Sequence, residues 1–317
     1  MLFIHKFQPM NLRDFMFNDT LISTLHTYIA LNNLNILFIG AAGSGKTTLI
    51  NALVRDYYGV SNIEGLDNIL HINNLKDQGI QFYRSEVKTF CQTKSSIKHK
   101  KRIIILDDID LITEQSQQVF RNCIDKYSSN VHFISSCNNI QKVIESLQSR
   151  FNLMKINSLG EPQLYQIMNK IITTENIQLD EDAKKFILTI SNNTVKTVIN
   201  YLEKIKLINT AVNYEMAVQI CTDINFLNFN EYILRLREKN ICAALIILYE
   251  IYDKGYSVID ILDNFFIFVK NTDILAQDEK YAVIEIICKY ITIFHTIHEL
   301  EIELAVFSNN LLSILKI

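Results

Sequence analysis

A chain of 317 residues that is 49% hydrophobic and 21% charged has enough apolar mass for two or three domains with real cores. Only 2 prolines and 8 glycines occur, which excludes a linker-rich or low-complexity polypeptide. A net charge of −3 excludes a uniformly basic nucleic-acid-binding chain, so any such contact needs a local basic surface.

Lys6 near the N-terminus precedes no clean apolar run of the length a signal peptide has, so none is expected. The most apolar stretches, Ile241–Tyr252 and Tyr281–Phe294, are too short to span a bilayer, and each carries a glutamate, Glu250 or Glu285. No pair among the six cysteines has C-x-x-C spacing, so most are expected as small buried hydrophobes in a reducing compartment. The expectation is a soluble intracellular protein with no membrane partner.

In chain order, Asn35–Ile39, Ile69–Ile72, Ile103–Leu106 and Val131–Ser135 have the short aliphatic runs of buried strands. Helical spacing falls between them, near Thr47–Asp56, Ile80–Cys91 and Glu114–Tyr127. Strand and helix in alternation predict a parallel α/β sheet. The basic stretch Lys94–Arg102 is expected as a solvated loop. Beyond Asn157 the spacing is helical: Glu161–Asn176, Asp180–Ser191 with Asp180 as N-cap, Thr194–Asn209, and a richly apolar region from Phe226 onward. The predicted architecture is an α/β base over residues 1–157, a helical lid over 158–222 and an all-α C-terminal domain over 223–317.

Gly40-Ala41-Ala42-Gly43-Ser44-Gly45-Lys46-Thr47 fits G-x-x-x-x-G-K-[ST], entered by a strand and left by an apolar-periodic helix that begins with Thr48 alongside. Glycines let the backbone curl so that several N–H groups face one anion, and the helix start adds partial positive charge. Lys46 is expected to reach the β- and γ-phosphates of ATP, and Thr47 to ligate Mg²⁺ through its hydroxyl. Ile103–Leu106 ends in Asp107 and Asp108, which a central strand delivers beside the phosphates. Asp107 is then expected at the Mg²⁺ and Asp108 at the attacking water.

Further segments in the same order resemble the small subunits of replication factor C, clamp loaders of the AAA+ family. Asp107-Asp108-Ile109-Asp110 resembles a D-E-A-D box, and NNLKDQGIQFYR (Asn73–Arg84) resembles N-A-S-D-D-R-G-I-x-x-x-R. SQQVFRNCID (Ser116–Asp125) resembles A-Q-Q-A-L-R-R-x-x-E. Cys137-Asn138, Lys142 and Ser149-Arg150-Phe151 resemble C-N-x-x-x-K-I-I-E-P-L-Q-S-R-C. The resemblance spans about residues 7 to 205. It implies an AAA+ P-loop base, a three-helix lid and a C-terminal collar that holds a pentameric ring of clamp-loader subunits. It also implies an ATPase active within that complex, a sliding clamp and primer-template DNA as partners, and a place at sites of DNA replication, whether in a nucleus or for a large DNA virus.

Site roles follow from the same resemblance. Asn138 falls at the sensor-1 position, Arg150 at a trans-acting arginine finger and Lys196 at sensor 2. Arg121 falls toward a subunit interface and Pro9 at an adenine-side contact. Arg84 and Lys142 fall at positions that follow the DNA backbone, while Gln78 stands where a third basic residue is usual. Asp108 departs from the family's glutamate, Lys196 from its arginine, Phe7-Gln8-Pro9 from Y-R-P, and Phe151 from the cysteine after the finger. These departures admit a subunit that binds nucleotide and hydrolyses it weakly; another AAA+ initiator or helicase loader is the remaining alternative.

Overall fold

The computed structural model describes residues 2–63, 65–72, 80–191, 193–208, 210–222, 224–294 and 298–314, with side chains left out at 80–84. Five strands, β1 (Ile36–Ile39), β2 (Ile69–Ile72), β3 (Arg102–Leu106), β4 (Val131–Cys137) and β5 (Asn152–Lys155), pair in the order β2-β3-β4-β1-β5. All four pairings are parallel. The helices of the first half are α1 (Phe3–Lys6), α2 (Asp19–Ala30), α3 (Lys46–Tyr58), α4 (Ile80–Gln92), α5 (Glu114–Tyr127) and α6 (Glu145–Gln148). There follow α7 (Glu161–Glu175), α8 (Glu181–Ile190), α9 (Val195–Ile208), α10 (Tyr214–Cys221), α11 (Phe226–Arg237), α12 (Ile241–Tyr252), α13 (Val258–Asn271), α14 (Gln277–Phe294) and α15 (Ile302–Ile314). This is the α/β base and helical C-terminal region that the sequence predicts.

The chain divides into two compact units, one of Met1–Ile171 with Asn193–Asn200, the other of Ile172–Asn192 with Tyr201–Ile317. The chain passes between the units three times, within α7, between α8 and α9, and within α9.

In the first unit the central strands β1, β3 and β4 are buried on both faces. Side chains alternate along each strand, so Ile36, Phe38, Ile103, Ile105 and Ile134 enter one core cluster with α3. Leu37, Ile104, Leu106 and Phe133 enter the other with Phe120 and Ile124 of α5. Each such side chain contributes roughly 1.5–3 kcal/mol by leaving water. That is why these strands read as unbroken aliphatic runs rather than alternating ones.

Two expectations need correction. The strand β5 was not predicted: Asn152-Leu153-Met154-Lys155 has no β-branched residue, and only alternate residues are shielded. It forms because it pairs along β1, from Ile36 with Asn152 to Ile39 with Lys155. The basic stretch before β3 is not a solvated loop throughout. Arg102 is the first residue of β3 and is buried; its guanidinium lies over the Phe90 ring and donates to the carbonyls of Phe90 and Asp67. Lys100 covers the Tyr57 ring, and Lys101 Nζ donates to Ser128 O. Long basic side chains here use their stems and planar faces as packing surface.

The second unit is helical. Asp180 caps α8 as predicted, accepting from the Glu181 N–H. Leu179 and Val212 form an isolated parallel bridge between the segments leading to α8 and α10. Further on, Phe229, Tyr232, Phe265, Phe268, Tyr290 and Phe307 form a chain of ring contacts across α11, α13, α14 and α15. Tyr232 is buried, and its hydroxyl meets Ser308 Oγ at 2.8 Å, which satisfies a polar group the core would otherwise strand. Cys91, Cys123, Cys137 and Cys221 are buried as expected, while Cys242 and Cys288 are exposed. No helix among the described residues is long and apolar enough to cross a membrane.

Candidate nucleotide site at the strand ends

The site lies at the C-terminal ends of β3, β4 and β1, three neighbours in the sheet. Pairing aligns Leu106 with Ser135 and Ile39 with Cys137, so the residues that follow leave the sheet side by side. The Gly40 N–H donates to Cys137 O at 3.2 Å, holding the entry to the phosphate loop against the end of β4.

Gly43 and Gly45 turn the loop through left-handed backbone, with φ of 74° and 91°. An added Cβ at Gly43 would stand 2.6 Å from Thr194 Cγ2, so a side chain there fails on both conformation and space. Gly45 is the N-cap of α3, which begins at Lys46. Lys46 is buried, and its ammonium donates to Gly40 O (2.9 Å), Ala41 O (3.0 Å) and Asn138 Oδ1 (2.8 Å). Thr47 Oγ1 donates to Asp107 Oδ2 at 2.7 Å, and Asn138 Nδ2 donates to Asp108 Oδ1 at 3.1 Å. Five predicted residues, Lys46, Thr47, Asp107, Asp108 and Asn138, are thus joined or neighbouring. Ala41 and Ala42 are exposed on the loop, Ser44 is buried within it, and Thr48 is half-buried in the first turn of α3.

A second tier supports them that motif reading does not single out. Ser136 Oγ accepts from the Asp108 N–H at 3.0 Å and donates to Asp107 Oδ1, fixing both acids to β4. Asp108 itself has φ 50°, a left-handed conformation a non-glycine residue holds only when its surroundings impose it. Asp110 Oδ2 accepts from the N–H groups of Asn138 (3.2 Å) and Asn139 (3.0 Å), so it sets the backbone that carries Asn138. Gln117 of α5 is fully buried; its amide donates to Lys142 O at 2.9 Å and accepts from the Ile144 N–H at 2.8 Å. The signal for Asp110 and Gln117 was present, since both stand in the quoted segments, but only packing gives them work.

Burial raises the Asp108 carboxyl above the ordinary carboxylate range; Asp107 and Asp110 add to the rise, while Lys46 and the Asn138 amide oppose it. Several carboxylates thus meet one ammonium. The Thr47 hydroxyl and the Asp107 carboxylate are hard oxygen donors already in contact, the small protein share that Mg²⁺ takes beside phosphate oxygens and water.

The other predicted residues have surroundings of their own. Arg150, just past α6, forms a bidentate pair with Asp125 of α5. Lys142 is exposed at the end of the 3-10 turn Ile140–Lys142. Lys196 is exposed in the first turn of α9, two residues beyond Thr194. Arg121 donates to Asn122 Oδ1 at 2.9 Å. Pro9 is half-buried in the coil after α1. Near the loop stands Phe17, whose Cζ lies 3.7 Å from where a Cβ on Gly45 would be. Arg84 lies in α4 with its side chain outside the described residues, and Gln78 is outside them altogether.

Residues 36–157 match the family described as ATPase family associated with various cellular activities. The chain is 28% identical over 274 residues to replication factor C subunit 2 of Arabidopsis thaliana, covering 85% of this chain and 81% of that one. It is 29% identical over 294 residues to the replication factor C small subunit of Methanococcus maripaludis, covering 90% of each. A putative replication factor C small subunit of Acanthamoeba polyphaga mimivirus is 27% identical over 285 residues, covering 90% and 88%. Over most of its length the chain is similar to replication factor C small subunits, and its first half to the AAA ATPases. Among solved structures it is similar to the RuvB Holliday junction branch migration motor of Thermotoga maritima, with a TM-score of 0.53 at 11% identity, covering 76% of this chain and 85% of that one. That likeness concerns the fold. Set against the resemblance drawn from the sequence, Lys46, Thr47 and Asp107 match, and Asp108 stands where a glutamate is usual.

Proposed function

We propose that this chain is an ATP-binding subunit of a clamp-loading ring, which places a sliding clamp on primed DNA during replication. The observation that carries the proposal is the bonded set at the strand ends, Thr47 to Asp107 and Lys46 to Asn138 to Asp108. In this reading the loop from Gly40 to Thr48 and Lys46 hold the phosphates, and Pro9 lies on the adenine side. Thr47 and Asp107 hold Mg²⁺, which when bound neutralises charge on the β- and γ-phosphates. Asp108 and Asn138 orient the attacking water, and Lys196 adds positive charge from the lid. Arg150 acts on ATP held by the neighbouring subunit, where such a finger stabilises the developing charge and is worth about 10³–10⁵ in rate.

The domain division in this proposal is a base over 1–157, a lid over 158–222 and a collar over 223–317 that joins the subunits of a pentamer. Arg84 and Lys142 meet the phosphates of primer-template DNA, a sequence-independent contact. The protein acts at sites of DNA replication, nuclear or viral.

A second reading is a ring subunit that holds ATP but turns it over slowly. The observation favouring it is Asp108, one methylene shorter than glutamate, which sets its carboxylate back by roughly 1.5 Å, with one oxygen already taken by Asn138.

The test is ATP turnover by the ring reconstituted with its partner subunits, with and without clamp and primed DNA. Turnover is expected to rise only when both are present and to fall at least a hundredfold in Arg150→Ala, while Lys46→Ala abolishes nucleotide binding at this subunit. Turnover indifferent to the clamp overturns the clamp-loading proposal, and undiminished ATP affinity in Lys46→Ala overturns the phosphate-site assignment.

A further inference from the structure

Arg150 is held by its own chain on every side but one. Nε donates to Asp125 Oδ1 at 2.6 Å and Nη2 to Asp125 Oδ2 at 2.9 Å, a two-point fork on one carboxylate. Nη1 donates to the backbone carbonyl of Ser146 and to Ser149 Oγ at 3.3 Å. Four of the five N–H groups of a guanidinium are thereby used. One N–H, on Nη2, is left without a partner among the described residues. The pair is not sealed in the core: the two side chains keep 31% and 47% of their surface. Asp125 lies one helical turn beyond Arg121 on α5, so it is neighboured by both arginines.

An exposed ion pair adds little to stability, because water screens it and two long side chains are immobilised. The same immobilisation matters for a different reason when the arginine must meet a phosphate. A free arginine carries about 2 kcal/mol of rotamer entropy that has to be lost on contact. A guanidinium already fixed by a carboxylate fork, a carbonyl and a hydroxyl has lost most of it beforehand, and contributes its charge at a set position. Hydrogen bonding from Arg150 holds the Asp125 carboxyl below its ordinary range, so the fork stays ionised throughout the neutral range.

We propose that Asp125 is a positioning residue for Arg150, fixing the guanidinium in the attitude from which it reaches a neighbouring subunit's nucleotide. This rests on the finger role given to Arg150 above. The carboxylate itself touches no nucleotide; it acts through the arginine.

The experiment is a double-mutant cycle on turnover by the reconstituted ring, with Asp125→Ala, Arg150→Ala and both together. Asp125→Ala is expected to lower kcat about tenfold with KM for ATP unchanged, because the nucleotide is held by the neighbour's phosphate loop. It is expected to have no further effect in the Arg150→Ala background, whereas loss of helix or subunit structure would lower turnover in both backgrounds. Asp125→Glu, which keeps the charge and the fork, is expected to restore at least half of the turnover. Unchanged kcat in Asp125→Ala, or an equal loss in both backgrounds, overturns the positioning role. Increased kcat overturns it as well, making the pair a brake on the finger. If Arg150→Ala alone leaves turnover intact, it is the finger assignment that falls.

Discussion

At the residue scale, the strand-end acids show how much one methylene can decide. Asp107 and Asp108 follow the same strand, yet the sheet treats them differently. Asp107 faces Thr47 and Ser136, while Asp108 is turned by its left-handed backbone toward Asn138. If the shorter side chain holds the water less closely than a glutamate, lengthening it should speed the chemistry. Asp108→Glu in the reconstituted ring is expected to raise turnover several-fold without changing ATP affinity, since activation of the water requires contact within hydrogen-bond reach. Equal turnover in the two proteins would show that this site is not slowed by its aspartate.

At the element scale, α5 ties the loops after β3 and β4 to one another through a single amide. Gln117 Nε2 donates to the carbonyls of Ile109 (3.4 Å), Ile112 (3.2 Å) and Lys142 (2.9 Å), and its Oε1 accepts from the Ile144 N–H. Gln117 has no exposure to water, and the Ile109 carbonyl it meets is buried with it. Gln117→Leu keeps the volume and removes the bonds, stranding a backbone N–H and carbonyls. It is expected to destabilise the chain by about 3 kcal/mol, from one to two buried polar groups left unmade. Urea unfolding monitored by circular dichroism measures this. An unchanged midpoint would mean that the loops find other partners.

At the scale of the whole molecule, the end of the sheet opposite the nucleotide site holds a neutral histidine. His132 of β4 is buried; Nδ1 accepts from the Leu34 N–H at 3.3 Å, and Nε2 meets Asn32 Oδ1 at 3.1 Å. The Tyr57 hydroxyl donates to the same Asn32 oxygen and accepts from the Lys101 N–H. Burial first, then the charges of Lys101 and Lys100, push the imidazole down from 6.5 to about 3. Above pH 6.5 folded and unfolded chains both carry it neutral, and stability is at its full value. As pH falls from 6.5 toward 3 the unfolded chain takes up a proton that the folded one refuses. Stability then drops by about 1.4 kcal/mol per pH unit from this group. Denaturant midpoints between pH 7 and 5 should show this slope, and His132→Gln should remove it. A slope that survives the substitution assigns the acid sensitivity to other groups.

The sequence by itself determined the α/β base, four of the five strands, the Asp180 cap and the residues that meet at the strand ends. Those features are local: an aliphatic run, a glycine pattern, or acids at a strand end each carry their physical reason within a few residues of chain. β5 was not legible, because its four residues become a strand only by pairing with β1. Arg102 looked like a solvated charge, because nothing near it in sequence reveals Phe90 and Asp67 waiting as its partners. Tertiary structure alone decided that Asp110 supports Asn138, that Phe17 reaches the phosphate loop, and that Asp125 and Ser146 grip Arg150. Hydrogen bonds and ring contacts depend on distances between groups that may be a hundred residues apart, and the folded sheet is what sets those distances.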